Sequence, residues 1–186
     1  MKYIFEYASP LGKIFIESDG DFLTGLWFEY SFDEKKHAEN SGCEIKKVSA
    51  DSPDLPSVIS ETCHWLDVYF SGREPDFTPE FKIENLTPFR KLVVDEMLKI
   101  PFGATTTYGD IAKNIAAKKG LEKMSAQAVG GAVGWNPLCI VVPCHRVLGT
   151  DGKLTGYGGG IRNKIAHLNI EGGEAEKCTF ATRRAV

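Results

Sequence analysis

Hydrophobic and polar residues alternate through the first 28 residues of the chain. The run YIFEYASPLGKIFIESDGDFLTGLWF keeps this two-residue period and is broken at Ser-Pro-Leu-Gly and Asp-Gly-Asp, which are typical of tight turns. A two-residue period places alternate side chains on one face of a strand. The pattern therefore predicts a three-stranded antiparallel meander. Residues 31–56 are mostly polar and predict a connecting loop with one short strand near residues 44–48.

The apolar spacing becomes helical at Ser57. The segment SVISETCHWLDVYFS carries apolar residues three and four positions apart, and Gly72 follows it as a suitable C-cap, so a helix is predicted over residues 57–71. The next stretch, REPDFTPEFKIENL, is polar and broken by prolines. We therefore predict an N-terminal α/β domain of residues 1–85 and a C-terminal domain of residues 86–186.

Three short helices are predicted in the first half of the C-terminal domain. Thr87 is an N-cap with Pro88 at the first helical position, and this helix is expected to run until Pro101. Thr107 and Ser125 are N-caps of the second and third helices, which are joined by a connection that contains a glycine. Such a pair is typical of a helix-turn-helix unit. Farther along, LCIVV predicts a short buried strand and IRNKIAHLNIE a final helix.

The third helix, AQAVGGAVG, has almost no large side chains. Two adjacent glycines within a helix each cost about 1 kcal/mol relative to alanine, which indicates that another group approaches this backbone closely. That group is either a second helix, packed tightly against the glycines, or a nucleic-acid groove. The helix by itself favours neither.

The charge distribution slightly favours the nucleic acid. Residues 1–85 contain 8 Lys and Arg against 17 Asp and Glu, a net charge of −9, whereas residues 86–186 contain 14 against 8, a net charge of +6. A basic domain favours phosphate-rich partners, although basic residues also serve solubility. No apolar stretch is long enough to span a bilayer, and the N-terminus lacks the features of a signal peptide. We therefore expect a cytoplasmic protein without a membrane partner.

The cysteines predict free thiols rather than a disulfide framework, because they are odd in number, irregularly spaced and without a C-x-x-C pair. They are Cys43, Cys63, Cys139, Cys144 and Cys178. The adjacent Cys63 and His64 have the chemistry of metal ligands. Only Cys43 and His37, in a polar loop, could add to them, and the spacing is not that of a zinc site. No metal is expected.

Cys144 and His145 are adjacent in PCHRV, directly after LCIVV. At a corner between a strand and a turn, a thiol can face a cleft, and an imidazole can generate the reactive thiolate. Downstream, GYGGG either exposes backbone amides to a flat ligand or forms a flexible loop. Glu171 ends the last predicted helix, which could bring its carboxylate close to the His145 imidazole. The Cys-His pair alone does not distinguish a nucleophile from an incidental neighbour.

Four motifs in this order, IPFGATTTYGDIA, AVGGAVGWNP, IVVPCHRVLG and GYGGG, resemble the O6-alkylguanine-DNA alkyltransferase family, also called methylated-DNA-protein-cysteine methyltransferases. The resemblance covers about residues 87–172. It implies an α+β fold with a ribonuclease-H-like N-terminal domain, in which an antiparallel sheet carries a helix. The C-terminal domain would be mostly helical and winged-helix-like, with a DNA-binding helix-turn-helix.

The resemblance also implies roles for individual residues. Cys144 would accept the alkyl group, while His145, bridged through a water to Glu171, would help the thiol to lose its proton. Asn136 would brace the turn before the site, Tyr108 would help to rotate the target nucleotide outward and donate a proton to the departing guanine, and Lys164 matches an active-site lysine. The residues expected to bind DNA or line the guanine pocket are Gln127, Ala128, Gly131, Arg146, Val147, Tyr157, Gly158 and Gly159.

The implied reaction moves an alkyl group from O6-alkylguanine, and from O4-alkylthymine, to the cysteine. The product is a thioether that water does not hydrolyse, so each molecule would repair one lesion without a cofactor. The implied partner is double-stranded DNA, bound in the minor groove largely through phosphates, with the target base flipped out of the stack. An obligate protein partner is not expected, and the protein would act as a monomer.

Two residues depart from the family's pattern. Gln127 replaces an arginine that fills the gap left by the flipped base, and glutamine lacks the charge and planar fork of arginine. We expect weaker DNA affinity with intact chemistry, and tighter binding in Gln127→Arg. Gly158 replaces a serine found in some members, which favours a wider pocket for larger alkyl groups.

Two other functions use the same residues. A cysteine hydrolase would use Cys144 and His145 for many turnovers on an ester or amide, but no hydrolase fingerprint surrounds the pair. A lesion-binding module, like relatives of the family in which the acceptor cysteine is replaced, would bind without transfer. The intact PCHRV argues against that module.

Overall fold

The computed structural model describes residues 1–29, 31 and 44–172 of the 186-residue chain. Its fold is α+β, as predicted, and it divides into two units. One unit comprises Met1–Asn85 and Pro137–Val141, and the other comprises Leu86–Asn136 and the residues from Val142 on. In the described parts of the chain, none of the helices has the length and hydropathy needed to cross a membrane.

The sheet of the first unit begins with the predicted meander. Strands β1 (Lys2–Ser9), β2 (Gly12–Ser18) and β3 (Leu23–Phe28) pair antiparallel in sequence order. The predicted short strand is also present as β4 (Ile45–Val48), and it pairs parallel to β1. The sheet order is therefore β3-β2-β1-β4, and the sheet is mixed rather than purely antiparallel.

The core of the first unit lies between this sheet and helix α1 (Ser57–Phe70). Alternation in β2 buries Ile14 and Ile16 completely, and α1 contributes Ile59 and Leu66 to the same core. All six residues of β3 are buried. Two flanking segments cover this strand, since the Leu23 amide donates to the Glu80 carbonyl at 2.9 Å and the Leu26 amide donates to the Pro137 carbonyl at 2.8 Å.

The second unit begins with helix α2 (Pro88–Met97). The Thr87 hydroxyl accepts a hydrogen bond from the Arg90 amide, so the predicted N-cap is confirmed. The predicted end near Pro101 is three residues too late, because the chain tightens into a turn after Met97. The Ile100 amide bonds to the Met97 carbonyl three residues back, and a proline disfavours helical geometry in the residue before it.

Helices α3 (Tyr108–Lys119) and α4 (Ala126–Val133) form the predicted helix-turn-helix unit. Thr107 caps α3 and Ser125 caps α4 through side-chain oxygens that accept backbone N–H groups, as predicted. Helix α3 ends at Gly120, whose φ of 63° lies in the left-handed region that favours glycine. Two short strands, β5 (Thr106–Thr107) and β6 (Val147–Leu148), pair in parallel and hold the start of α3 beside the PCHRV motif.

The predicted strand LCIVV is wrong. Leu138 makes one isolated bridge to Leu26, after which the chain turns, and Ile140 has a positive φ of 69°. The segment is nevertheless buried from Leu138 to Val142. A short apolar run indicates burial but does not distinguish a strand from a buried turn. The motif then forms a single 3-10 turn (Cys144–Arg146), and the last described helix, α5 (Ile161–Ile170), ends at Glu171.

Candidate active site

Cys144 begins the 3-10 turn, and the residue is only 6% exposed. The buried Asn136 side chain reaches it from the turn after α4. Its Nδ2 donates one hydrogen bond to the Val142 carbonyl at 2.8 Å and another to the Cys144 Sγ at 3.2 Å. An N–H donor aimed at sulfur stabilises the thiolate, which is the reactive form of cysteine.

His145 is completely buried beside Cys144 and contacts Glu171 directly. The His145 Nε2 lies 2.7 Å from the Glu171 Oε1. The water bridge expected between these residues is therefore wrong, because this distance is that of a direct hydrogen bond. Burial lowers the pKa of His145; Glu171 opposes this, while the positive charges of Arg146 and Lys164 add to it. The imidazole is thus neutral at neutral pH and able to accept a proton.

Glu171 is held by two further donors. The Arg146 guanidinium forms a two-pronged contact with it, Nε to Oε2 at 2.9 Å and Nη2 to Oε1 at 3.0 Å, and the Gly103 amide donates to Oε2 at 3.1 Å. Burial raises the pKa of Glu171, but the hydrogen bonds from His145 and Arg146 outweigh it, and the pKa falls to about 2. Glu171 is therefore a carboxylate at neutral pH and can stabilise a protonated His145.

Gly103 is a site residue that the sequence analysis missed. Its φ is 74°, and a Cβ atom at this position would lie 2.8 Å from the Glu171 carbonyl oxygen. Only glycine fits both the backbone conformation and the close approach. The signal was present in the first motif, IPFGATTTYGDIA, where this glycine had no assigned role.

Arg146, which was expected to bind DNA or line the base pocket, contacts other residues around the site. Besides Glu171, its guanidinium contacts the Ile100 carbonyl at 2.7 Å and lies 5.7 Å from the centroid of the Phe102 ring. The side chain is only 12% exposed. Its contacts therefore position the buried carboxylate.

Tyr108 and Lys164 lie on another side of the cluster. The Tyr108 hydroxyl accepts a hydrogen bond from the Thr155 hydroxyl at 3.2 Å. Burial raises the pKa of Tyr108, the Thr155 hydrogen bond lowers it and the nearby Cys144 raises it, so the phenol remains protonated at neutral pH. The fully buried Lys164 donates to the Val147 carbonyl at 2.6 Å and lies 6.0 Å from the Tyr108 ring centroid.

His167 is a second site residue that sequence reasoning did not find. It is fully buried, its ring lies 5.0 Å from that of His145, and it meets the Tyr157 ring edge to face at 6.1 Å. Helical spacing from Lys164 and Glu171, three residues before and four after, was the available signal. Gly158 and Gly159 form the partly exposed turn that leads from Tyr157 into α5.

The residues of helix α4 that were predicted to bind DNA are exposed, whereas other residues of the same helix pack against the protein. Gln127, Ala128 and Gly131 are exposed, whereas Val129 and Val133 are buried. A Cβ atom at Gly131 would meet nothing within 4 Å, and one at Gly130 would make only an ordinary contact with the Tyr108 ring at 3.8 Å. Tight helix packing therefore does not explain Gly131. The exposed face is open to a partner outside the chain.

Among the described residues, no group of three His, Cys, Asp or Glu side chains is placed to hold a metal ion. Cys63 is half-buried, and burial together with Asp67 raises the pKa of its thiol to about 11. The His64 ring stacks on Phe77 at 5.9 Å. Cys43 and His37, the other candidate ligands, lie outside the described residues.

Most of the chain matches the models of two domains that belong to one protein family. The model of the 6-O-methylguanine DNA methyltransferase DNA binding domain matches residues 88–173, and that of the ribonuclease-like domain matches residues 1–83. The methylated-DNA--protein-cysteine methyltransferase of Mycobacterium bovis is 38% identical over 164 residues, which cover 88% of either chain. The chain belongs to the 6-O-methylguanine DNA methyltransferase family.

Other members of this family show the same relationship. The methylated-DNA--protein-cysteine methyltransferase of Methanosarcina acetivorans is 36% identical over 89% of this chain and 96% of its own. The crystal structure of Mycobacterium tuberculosis O6-methylguanine methyltransferase matches with a TM-score of 0.73 at 35% identity, over 92% of this chain and 93% of that one. Mycobacterium tuberculosis OGT in complex with DNA gives a TM-score of 0.73 at 34% identity, over 95% of each chain.

Membership in the 6-O-methylguanine DNA methyltransferase family confirms the resemblance based on the four motifs. It also extends to the N-terminal unit, where the match to a ribonuclease-like domain agrees with the fold expected there. The structure brings Cys144, His145, Glu171, Asn136, Tyr108 and Lys164 into one cluster within the second unit. The roles of these residues remain predictions.

Proposed function

We propose that this protein repairs DNA by transferring the alkyl group of O6-alkylguanine irreversibly to the Sγ of Cys144. O4-alkylthymine is a second substrate, because it presents the same alkyl ether on a base. The proposal is carried by a buried cysteine whose sulfur accepts a hydrogen bond from Asn136, next to a histidine that contacts a carboxylate. The relatives named methylated-DNA--protein-cysteine methyltransferases support the same chemistry.

The transfer is a displacement at the alkyl carbon. His145 takes up the proton of the Cys144 thiol, and the thiolate attacks the carbon, forming an S–C bond as the C–O6 bond breaks. Glu171 stabilises the imidazolium, while Arg146 and the Gly103 amide hold the carboxylate in place. Arg146 acts here as a positioning residue rather than as a DNA ligand.

Guanine is the leaving group: the electron pair of the broken C–O6 bond restores the O6 carbonyl and leaves the base as an anion, which takes up a proton on a ring nitrogen. Tyr108 supplies this proton, because its raised pKa keeps the phenol protonated. Lys164 orients the Val147 carbonyl through their 2.6 Å contact, and Tyr157 with the turn of Gly158 and Gly159 lines the base pocket. The thioether product has no activated carbon for water to attack, so each molecule acts once.

The exposed face of α4, with Gln127, Ala128 and Gly131, enters the minor groove of double-stranded DNA. The absence of bulk at Gly131 supports this close approach, and backbone phosphates provide most of the affinity. A stacked base would not reach a cysteine that is 6% exposed, so the target nucleotide rotates out of the helix. Residues 1–85 and 86–186 act as two domains, of which the second carries out recognition and transfer.

The protein acts as a monomer in the cytoplasm. All residues of the proposed site lie within the second unit of the chain, which supports action as a monomer. A reducing compartment keeps Cys144 available as a thiol.

The direct test is the site and number of alkyl groups transferred. The protein is incubated with duplex DNA that contains one O6-methylguanine, digested, and analysed by mass spectrometry. One methyl group on the Cys144 peptide, reaching one per molecule at excess DNA, is expected. Cys144→Ser should bind the lesion without transfer, while Cys139→Ser, which alters another buried cysteine, should transfer normally.

Three results would overturn the proposal. They are no adduct, an adduct on Cys63 or Cys139, and removal of more than one methyl group per protein molecule. The third result would favour a hydrolytic enzyme, and the first, with tight lesion binding, would favour a binding module.

A further inference from the structure

Arg90 carries a charge that the described part of the protein does not neutralise. The Arg90 guanidinium carbon lies 3.9 Å from the centroid of the Trp135 ring, as in a close cation-π stack. Among residues 1–29, 31 and 44–172, no acidic side chain forms an ion pair with Arg90. The neighbouring Lys91 differs, since its ammonium contacts both carboxylate oxygens of Asp95, at 3.0 and 2.9 Å.

The stack lies at the end of the exposed face of α4. The Trp135 amide bonds to the Ala132 carbonyl three residues earlier, so the chain continues to turn in the helical sense beyond Val133. Ala128, Gly131 and Trp135 follow one another at three- and four-residue spacing and therefore share one side. Ala128 and Gly131 are exposed, and Trp135 and Arg90 are partly exposed.

We propose that Arg90, held on the face of Trp135, binds a backbone phosphate diester of the DNA that contacts α4. This inference rests on the proposed function. Stacking fixes the plane of the guanidinium and leaves its N–H edge for phosphate oxygens, which the planar fork of arginine binds in pairs. Stacking also restricts the Arg90 side chain before DNA binds, so less conformational entropy is lost when the complex forms.

The position of the Arg90–Trp135 stack indicates what the phosphate contact would contribute to DNA binding. Gln127, near the start of α4, lacks the charge of the arginine expected there, and Arg90 supplies a positive charge at the other end of the same face. Trp135 directly precedes Asn136, whose amide contacts the Cys144 sulfur. A phosphate bound by Arg90 therefore fixes the register of the duplex relative to the reactive thiol.

The test compares Arg90→Gln and Trp135→Leu with the control Lys91→Gln. The control removes one positive charge from the adjacent residue of α2, where that charge is already paired with Asp95. Dissociation constants are measured for duplex DNA with and without O6-methylguanine over a range of salt. Arg90→Gln should bind both duplexes about tenfold more weakly and reduce the slope of log K against log salt by about 1. Trp135→Leu should weaken binding less, and Lys91→Gln should stay within about twofold of wild type.

A second readout separates this inference from the proposed function. Methyl transfer to Cys144 from the free nucleobase O6-methylguanine requires no phosphate, and it should be unchanged in Arg90→Gln. If wild type methylates Cys144 but Arg90→Gln keeps the wild-type affinity and salt slope, the phosphate contact is refuted and the proposed function survives. If wild type transfers no methyl group from either substrate, the proposed function fails first.

A second variant, Arg90→Lys, tests the phosphate contact even if Arg90→Gln does not fold. Arg90→Lys keeps the charge while losing the planar stack, so it should retain the salt slope and lose part of the affinity. Loss of the slope in a folded Arg90→Lys, or equal effects of Arg90→Gln and Lys91→Gln, would overturn the inference.

Discussion

Asn136 is the residue whose side chain joins the reactive sulfur to the main chain, through 3.2 Å to the Cys144 Sγ and 2.8 Å to the Val142 carbonyl. Replacing it with alanine removes the donor that stabilises the thiolate. A hydrogen bond to a charged group contributes roughly 1.5–3 kcal/mol, so Asn136→Ala should slow methyl transfer at least about tenfold. The measurement is the single-turnover rate at saturating lesion DNA.

The matched control for this change is Asn169→Ala, which removes an exposed asparagine from α5. It should transfer at the wild-type rate. Because Asn136→Ala also leaves a buried carbonyl without its donor, circular dichroism must show that the variant is folded at the assay temperature. A folded Asn136→Ala with wild-type transfer would remove Asn136 from the mechanism.

The negative charge of Glu171 shifts the pKa of His145 in a defined direction. The carboxylate raises the pKa of His145 against the lowering effect of burial. Glu171→Gln should therefore move the pKa of His145 further down and make it a weaker base. We expect slower transfer at neutral pH and an acid limb of the pH-rate profile at lower pH than in wild type. Single-turnover rates over pH, with NMR titration of the His145 ring, measure both effects.

The control is Glu122→Gln, which removes an exposed carboxylate and should leave both the rate and the His145 titration unchanged. Glu171→Asp keeps the charge and should retain more activity than Glu171→Gln. An acid limb that moves to higher pH in Glu171→Gln would contradict the assigned relation between the two residues.

The sequence identified the candidate reactive residues more completely than the residues that position them. Cys144, His145 and Asn136 lie in short motifs, so the order of residues along the chain was enough to find them. Gly103 could not be assigned a role, because its contact with Glu171 joins segments 68 residues apart. The contacts of Arg146 with Glu171 and Ile100 could not be predicted either, since a motif fixes the position of a residue but not which way its side chain points.

At the scale of the element, α4 combines low intrinsic stability with an open surface. Gly131 has helical geometry, and a side chain added there would meet nothing within 4 Å. Gly131→Ala should therefore stabilise the protein by roughly 0.5–1 kcal/mol, because glycine is the poorer helix former. Gly131→Leu should weaken binding to lesion DNA while leaving transfer from the free nucleobase intact. Thermal unfolding and fluorescence anisotropy measure the two effects.

The control for added apolar bulk is Ser60→Leu on the exposed side of α1, which should not change DNA affinity. If Gly131→Leu binds DNA as tightly as wild type, this face of α4 does not contact the duplex.

Glu96 connects α2 to α3. Its carboxylate, on a residue that is 6% exposed, accepts hydrogen bonds from Lys118 and Asn114 of α3 and from Lys99. Burial raises the pKa of Glu96, but these hydrogen bonds outweigh it and lower the pKa from 4.5 to about 2. A lowered pKa stabilises the folded state above pH 4.5, and this contribution is lost as the pH falls towards 2.

Glu96→Gln should lower the free energy of unfolding at neutral pH by about 1–2 kcal/mol, a range that allows for solvent screening of the half-exposed lysines. The difference from wild type should shrink as the pH approaches 2. Urea unfolding over this pH range is the measurement. Asp95→Asn, which breaks a surface pair with Lys91, should cost less than about 0.5 kcal/mol. A constant difference between Glu96→Gln and wild type at all pH values would contradict the ion-pair explanation.

Element boundaries could be predicted where local chemistry decides them. The caps Thr87, Thr107 and Ser125 act through their own side chains and neighbouring amides, so their positions follow from a few residues. The segment from Leu138 to Val142 has no such signal. Its conformation depends on the main chain of Leu26, more than a hundred residues earlier, and only its burial could be predicted from hydrophobicity.

At the scale of the whole molecule, selectivity among the cysteines follows from their surroundings. Burial and Asp67 raise the pKa of Cys63 to about 11, which keeps it in the unreactive thiol form. Cys144 instead has an N–H donor on its sulfur and a neutral histidine beside it. Cys144 is therefore expected to be the more reactive of these two thiols.

The same geometry predicts that repair destabilises the protein. Methylation adds a methyl group at a residue that is 6% exposed and turns the sulfur into a weak thioether acceptor for the Asn136 amide. Overpacking by one methyl group costs roughly 1–3 kcal/mol, which corresponds to a fall in Tm of about 2–12 °C for a chain of this length. Calorimetry of protein methylated by lesion DNA, then freed of DNA, measures the change against protein treated with undamaged DNA. An unchanged or higher Tm would mean that the site accommodates the methyl group without strain, contrary to the packing around Cys144.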